Sequence, residues 1–270
     1  MHIVAQTNVG LVRSRNEDFY IVVAEKDAII VCDGMGGHPG GDLASRLAAQ
    51  EVQRLVLENG AGADSGLAVA SETLQPFAAL VAGVFAADRA LRAHGRKYPE
   101  YLGMGTTLAA LQERAGLLCA VHVGDSRVYC FRDGTLTQLT QDHSYIATLP
   151  EAARASFAGI RNILTRAVGV GEELEVDFTI APARPDETYL LCTDGLHNFV
   201  SEERIAAVLG AQPDREACLT TLVEDALQGG GGDNVTVALA WIDAAVARPA
   251  PRVSGAVLAS GSGLRVQLET

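Results

Sequence analysis

Hydrophobic and polar positions along the chain fall into short blocks that change period several times. Residues 1–33 read as short strands, with Ile21-Val22-Val23 and Ile29-Ile30-Val31-Cys32 as apolar runs rich in β-branched residues; the second run ends at Asp33-Gly34. A glycine-rich turn over residues 34–41 leads into helical spacing over 42–57, where Leu43, Leu47, Val52, Leu55 and Val56 share a face. Residues 59–66 read as a small-residue loop. The spacing then predicts a second long helix over about 71–94, with Pro76 in its first turns, where a missing N–H costs little. Strand-like runs return at 106–111, 117–123, 128–131 and 136–139. Turns at Glu113-Arg114-Ala115-Gly116 and Asp133-Gly134 make residues 105–140 read as one antiparallel meander. Residues 141–162 carry no clear period and read as a mobile surface segment. Strands near 176–180 and 189–192, helices near 202–209 and 215–227, and a last buried strand over 235–242 complete the pattern.

Strands and helices arrive in blocks rather than in strict alternation. That order favours antiparallel sheets with helices packed outside them over a doubly wound parallel sheet. Residues 244–270 are rich in Ala, Pro, Gly and Ser and read as a flexible low-complexity tail, which leaves 1–243 as one folded domain. Within 270 residues, 48% are hydrophobic, enough for a sizeable core.

The charge balance, 33 acidic against 21 basic residues for a net −12, repels nucleic acid and anionic membrane. The five cysteines, Cys32, Cys119, Cys130, Cys192 and Cys218, have no C-x-x-C spacing. Cys32, Cys119 and Cys192 lie in apolar runs, as small buried hydrophobes do. This usage suits a reducing compartment. No basic-then-apolar leader opens the chain and no run reaches membrane-spanning length, so the reading is a cytoplasmic protein.

One pattern recurs at the ends of core strands. Ile29-Ile30-Val31-Cys32 delivers Asp33-Gly34, Leu190-Leu191-Cys192-Thr193 delivers Asp194-Gly195, and the run Ala120 to Gly124 delivers Asp125. Gly231-Gly232 precedes Asp233-Asn234 at the mouth of the last strand. A single Asp in such a place is ordinary turn chemistry, and Asp133-Gly134 needs no other role. Several carboxylates gathered at one end of a sandwich repel one another unless a cation neutralises them. An all-oxygen set selects hard cations, Mg²⁺ or Mn²⁺. Near the N-terminus, Arg13 and Arg15 stand beside Asn16, Glu17 and Asp18, and an arginine fork suits a phosphate.

In order along the chain, the blocks are Gly10 to Asp18, Asp33-Gly34-Met35-Gly36-Gly37-His38, Gly103-Met104-Gly105-Thr106-Thr107, and Gly124-Asp125-Ser126-Arg127. Leu164-Thr165-Arg166-Ala167-Val168-Gly169, Cys192-Thr193-Asp194-Gly195-Leu196 and Gly232-Asp233-Asn234-Val235-Thr236 follow. Together they resemble the type 2C, or PPM, metal-dependent protein phosphatases, above all the compact bacterial members, over about residues 4–242.

The resemblance implies an α+β fold, a β-sandwich of two antiparallel sheets with helical layers outside, and two Mn²⁺ or Mg²⁺ ions at one end. It gives Asp33 the bridging position, with the Gly34 carbonyl on one ion and Asp194 and Asp233 on the other. Glu17 and Asp18 orient metal waters or support the ligands. Asp125, helped by Asp194, matches the acid of a third, weaker metal in bacterial relatives. Arg13 holds the substrate phosphate and Asn234 fixes Asp233.

The implied reaction is hydrolysis of phosphoserine or phosphothreonine in proteins phosphorylated by a Ser/Thr kinase, by direct attack of a metal-bridging hydroxide, in a monomeric signalling enzyme. Eukaryotic members place a His after the Asp-Gly as general acid; here that position is Met35, and His38 is nearby in sequence. Residues 143–162 stand where bacterial relatives carry a flap beside the active site. The competing reading, a catalytically silent binding module of the same fold, predicts a lost ligand, and none is missing. A Ser or Cys nucleophile is disfavoured by the absence of G-x-S-x-G and by the buried setting of the cysteines.

Overall fold

A computed structural model of the chain describes residues 1–35, 40–59, 74–150, 153, 163–243, 252–260 and 263–268. Its strands are β1 (His2–Asn8), β2 (Asp18–Val23), β3 (Ala28–Asp33), β4 (Leu108–Arg114), β5 (Leu117–Val123) and β6 (Arg127–Arg132). The remaining strands are β7 (Thr135–Gln138), β8 (Glu175–Pro182), β9 (Thr188–Cys192), β10 (Val235–Trp241), β11 (Val253–Ser260) and β12 (Gly263–Leu268). The helices are α1 (Gly41–Leu57), α2 (Ala78–Lys97), α3 (Asp194–His197), α4 (Glu202–Ala211) and α5 (Arg215–Gln228).

The strands form two antiparallel sheets, one ordered β1-β10-β9-β6-β7 and the other β12-β11-β8-β5-β4-β3-β2. Helices α1 and α2 cover the outer face of the seven-stranded sheet through Val52, Leu80, Val84 and Leu91 against Ile30, Cys32 and Val121. Helices α4 and α5 cover the other sheet through Ile205, Leu219 and Leu222 against Leu190, Val237 and Leu239. Between the sheets lie Ile29, Val31, Leu111, Val128, Tyr189 and Leu191, with Ala109, Ala120, Ala238 and Ala240. The expected α-β-β-α sandwich is what the chain forms. Both faces of the central strands are buried, which is why they read as continuous apolar runs rather than as alternation.

Strand alternation then decides where the acids point. On β3, Ile29 and Val31 face between the sheets while Ile30 and Cys32 face the helices. Asp33 continues the inward series. Asp18 pairs directly with Asp33 across β2 and β3.

Three expectations are corrected. Residues 105–140 are not one meander: β4 and β5 belong to the seven-stranded sheet and β6 and β7 to the other. The chain changes sheets at Gly124, whose φ of +101° turns the backbone in a way that favours glycine. The second helix starts at Ala78 rather than near 71, because Pro76 sits in a separate 3₁₀ turn, Gln75–Phe77; residues 71–73 lie outside the described residues. Residues 252–260 and 263–268 do not form a tail. Strand β11 pairs with β8 from Val253↔Ile180 to Leu258↔Glu175, and β12 pairs with β11. Val257 is fully buried against the helix-covered core. The open edge of β8 supplies the backbone partners that a composition of Ala, Ser and Gly does not advertise.

Candidate metal centre

The site lies at one end of the sandwich, where both sheets deliver side chains. Asp33 ends β3; its backbone N–H donates to Thr107 Oγ1 at 3.0 Å, and its carbonyl accepts from Thr107 N–H at 2.8 Å and Thr106 Oγ1 at 2.8 Å. Asp18 reaches across the sandwich from β2, where its Oδ2 accepts from the hydroxyls of Thr193 (2.8 Å) and Thr236 (2.7 Å). Those hydroxyls belong to the opposite sheet, on the inward positions at the end of β9 and the start of β10. Asp194 opens α3, and Asn198 Nδ2 donates to its Oδ2 at 3.0 Å. Asp233 precedes β10 and receives Arg13 Nη2 at 2.8 Å. Asn234 knots the N-terminal loop to this corner: its Nδ2 donates to the carbonyls of Val9 and Arg15, and its Oδ1 accepts from Glu17 N–H at 2.8 Å.

Arg13, Glu17, Asp33, Gly34, Asp125, Asp194, Asp233 and Asn234 all line one cavity of about 510 Å³. Asp18 lies behind its wall, 5% exposed. The predicted site residues therefore meet at one place, with Asp18 as a buried support for that wall. His38 lies outside the described residues, and Met35 lines the pocket.

Charge is the dominant feature. Burial first, then repulsion from Asp18, Asp194, Asp125 and Asp233, holds the Asp33 carboxyl well above the ordinary carboxylate range. Burial pushes Asp18 up to about 7 against the opposing hydroxyl bonds of Thr236 and Thr193. It also pushes Asp125 up to about 7, with Asp194 adding to it. Asp194 stands at about 6 through burial and the charge of Asp233. Burial and Asp42 raise Glu17.

Two buried carboxylate oxygens, Asp18 Oδ1 and Asp194 Oδ1, have no hydrogen-bond partner among the described residues. An unpaired buried acceptor among like charges is costly. A hard divalent cation, which takes oxygen ligands and cancels charge, fits this donor set.

The opposite wall of the cavity is formed by Leu164, Thr165, Arg166, Ala167, Val170, Glu173 and Glu175. The block Leu164 to Gly169 carried no role in the sequence. The hydroxyls of Thr107, Thr193 and Thr236 were missed too: Thr193 adjoins Asp194 and Thr236 lies three residues after Asp233, but Thr107 stands beside no aspartate of the set. The weakly patterned segment after 140 proves anchored at its start: His143 and Ser144 are buried and Asp142 pairs with Arg127 at 2.7 Å. Arg127 thus has a structural partner inside the Gly-Asp-Ser-Arg block. Residues 151–152 and 154–162 of the expected flap lie outside the described residues.

A two-sheet α+β sandwich with an all-oxygen carboxylate pocket beside an arginine defines the class of a metal-dependent phosphate-ester site. Comparison with known proteins narrows it. The protein phosphatase 2C family profile matches residues 12–219. The chain is 38% identical over 259 residues to the serine/threonine protein phosphatase PstP of Mycobacterium tuberculosis, covering 94% of this chain but 47% of that protein. It thus spans about half the length of that curated relative. It is 33% identical to the serine/threonine phosphatase stp of Listeria welshimeri, covering 88% of this chain and 95% of that one. The crystal structure of the catalytic domain of PstP in complex with two manganese ions superposes with a TM-score of 0.74 at 38% identity, over 88% of this chain and 96% of that domain. The chain belongs to the protein phosphatase 2C family.

Proposed function

We propose that this chain is a protein serine/threonine phosphatase that hydrolyses phosphoserine and phosphothreonine in other proteins with a pair of divalent cations, Mn²⁺ or Mg²⁺. The observation that carries the reading is the convergence of Asp18, Asp33, Asp125, Asp194 and Asp233, two of them with orphaned buried oxygens, beside the exposed Arg13. Asp33, the Gly34 carbonyl, Asp194 and Asp233 would hold the pair, with Glu17 and Asp18 behind them and Asp125 offering a further ligand. A bound pair supplies Lewis acidity and lowers the pKa of a water toward roughly 7.

The chain's own residues do the rest. Arg13 presents its guanidinium at the pocket mouth, where a planar fork can grip a phosphate dianion and orient the ester. The Thr107, Thr193 and Thr236 hydroxyls fix the aspartates against their mutual repulsion, so the pocket is formed before substrate arrives. Asn234 keeps the Arg13 loop and Asp233 in one register. No histidine lines the described part of the pocket where Met35 stands, and no side chain is assigned as the proton donor for the leaving alkoxide.

The substrates implied are targets of a Ser/Thr kinase, and the setting implied is the cytoplasm; no described helix is long and apolar enough to cross a membrane. The silent-module reading finds no lost ligand. The test is hydrolysis of a phosphothreonine peptide with Mn²⁺, with chelator, and by Asp194→Asn. Activity is expected only in the first case, and turnover that survives both chelation and the substitution overturns the reading.

A further inference from the structure

Away from the aspartates, the described part of the chain holds a second cluster of buried titratable groups. His122 (β5), His143 and Asp177 (β8) offer ligand atoms within 4.8 Å of one another. The imidazoles of His122 and His143 stack at 4.5 Å between centroids. The spacing suits a metal, but the ring nitrogens of His143 and both oxygens of Asp177 are already committed. The backbone N–H of Gly124 donates to His143 Nδ1 at 3.1 Å, so the neutral ring carries its proton on Nε2. That Nε2–H donates to Asp177 Oδ2 at 3.0 Å. Arg166 Nη1 occupies the other oxygen of Asp177 at 2.9 Å, and its Nη2 pairs with Glu175 at 2.9 Å. His122 Nε2–H donates to the Gln141 carbonyl at 2.8 Å. A guanidinium already fills the place of a cation.

We propose that His143 is a positioning residue whose imidazole ties the Gly124–Asp125 turn on one wall of the active-site cavity to Arg166 on the other. Its backbone completes the link. His143 N–H donates to the Gly124 carbonyl at 2.9 Å, and its own carbonyl accepts from Thr165 N–H at 2.8 Å. Asp125, Thr165, Arg166 and Glu175 all line the cavity. The turn is in turn tied to Asp33, because Thr107 Oγ1 meets Ser126 Oγ at 2.6 Å while accepting the Asp33 N–H. His143 is 7% exposed, makes no side-chain bond to the five aspartates of the site and does not line the cavity.

The two ring nitrogens therefore have separable duties. Nδ1 holds the acid wall through Gly124, and Nε2 holds, through Asp177, the wall that carries Arg166, a second guanidinium lining the cavity that a phosphopeptide would enter. Burial raises Asp177, but the bond from His143 and the charge of Arg166 help to hold its carboxyl below the ordinary range. A charged acceptor makes the Nε2 bond the stronger of the two.

The proposal rests on the phosphatase reading for its kinetic arm but not for its structural arm. His143→Asn keeps an acceptor near the Nδ1 position and cannot reach Asp177. His143→Gln reaches toward Asp177 and leaves the Gly124 N–H without an acceptor. Hydrogen exchange in the metal-free protein is expected to accelerate about tenfold across residues 164–168 in the Asn variant and across 123–126 in the Gln variant, the loss of one such bond each. With Mn²⁺ and a phosphothreonine peptide, the Asn variant chiefly raises KM, about five- to tenfold, and the Gln variant chiefly lowers kcat by a similar factor.

Equal acceleration of both segments in both variants, or in neither, overturns the proposal. Where the Gln variant fails to fold by circular dichroism, Asp177→Asn decides: it must reproduce the Asn-variant exchange pattern, and acceleration at 123–126 instead overturns the link. An exchange split between the two variants alongside a wild type that does not hydrolyse the peptide refutes the phosphatase reading and leaves the strut standing. An active wild type whose variants show no such split does the reverse.

Discussion

Asp18→Asn should stabilise the metal-free protein and weaken the metal-loaded one. In the metal-free chain Asp18 is buried, its Oδ2 already satisfied by two hydroxyls and its Oδ1 by nothing. Its carboxyl stands at about 7 against an ordinary 3.8, through burial and the charges of Asp194 and Asp233. A displacement of that size corresponds to at most about 4 kcal/mol, and relaxation of a buried, interacting group brings the expectation to about 2 kcal/mol. Asparagine keeps an oxygen for Thr193 and Thr236, removes the charge, and sets an N–H donor among carboxylates.

Because the folded-state pKa is raised, the wild-type chain binds the proton more tightly folded than unfolded. Its penalty is absent below about pH 4 and grows as pH rises toward 7. The variant's advantage should follow the same window. In chelator at pH 7.5 the gain of about 2 kcal/mol corresponds to a melting point about 4 °C above wild type for a chain of this length. With Mn²⁺ the order should reverse, since wild type recovers its charge as metal binding and the variant cannot. Thermal unfolding by circular dichroism, in chelator and in Mn²⁺, across pH 4 to 8, makes the comparison. A variant that melts below wild type in chelator at pH 7.5, or a difference that ignores pH, refutes the claim that uncompensated charge governs this corner.

Mn²⁺ uptake should release more protons at pH 6 than at pH 8, with weaker affinity at pH 6, because Asp18 and Asp125 stand at about 7 and Asp194 at about 6; calorimetry in buffers of different ionisation enthalpy reads both. Gly195→Ala would set a Cβ 1.8 Å from the Asn234 carbonyl oxygen, forcing Asp194 away from the Asp233 strand, at a cost of roughly 1–3 kcal/mol in stability and about 100-fold in kcat. Truncation before β11 should lower the urea midpoint by the equivalent of roughly 2–3 kcal/mol by uncovering the β8 edge and the core around Val257, while turnover per folded molecule persists. Hydrolysis of a chiral phosphothreonine ester in isotopically labelled water should invert the configuration at phosphorus, as a single displacement requires.

The strands that carry Asp33 and Asp194 were legible because their ends are abrupt. Asp33 follows four apolar residues and Asp194 follows a buried Thr at the end of another run, so both the element and the acid at its end were visible in one reading. The sheet assignment was not. Strands β5 and β6 are separated only by Gly124-Asp125-Ser126, which looks like any hairpin turn, and the left-handed φ that sends the chain into the other sheet leaves no further mark. Strands β11 and β12 were missed because weak side chains there are held by a backbone ladder. The roles of Thr193, Thr236 and His143 were invisible for a different reason: each acts on a residue far away in the chain, and a hydroxyl or imidazole within a polar stretch has no periodicity to betray it.

The aspartates come from both halves of the sandwich, and this ties the site to the whole fold. Asp18 and Asp33 belong to the seven-stranded sheet, Asp194 and Asp233 to the ends of β9 and β10 in the other, and Asp125 to the crossing between them. Their separation is therefore the separation of the sheets. Ala109, Ala120, Ala238 and Ala240 on the inner faces let those sheets approach, and the Asp18 bridge to Thr193 and Thr236 pulls the ends together from one side. Repulsion among five clustered carboxyls, three of them buried, pushes the other way. A cation bound among them would remove the push while leaving the pull, so metal binding should tighten the end of the sandwich as well as fill it. The hydrogen bonds on these carboxylates are made by neutral groups, hydroxyls on Asp18 and amides on Asp194 and Asp233, with Arg13 on Asp233 the exception. Neutral donors orient a carboxylate without satisfying its charge, and that unspent charge is what the pocket offers to a metal.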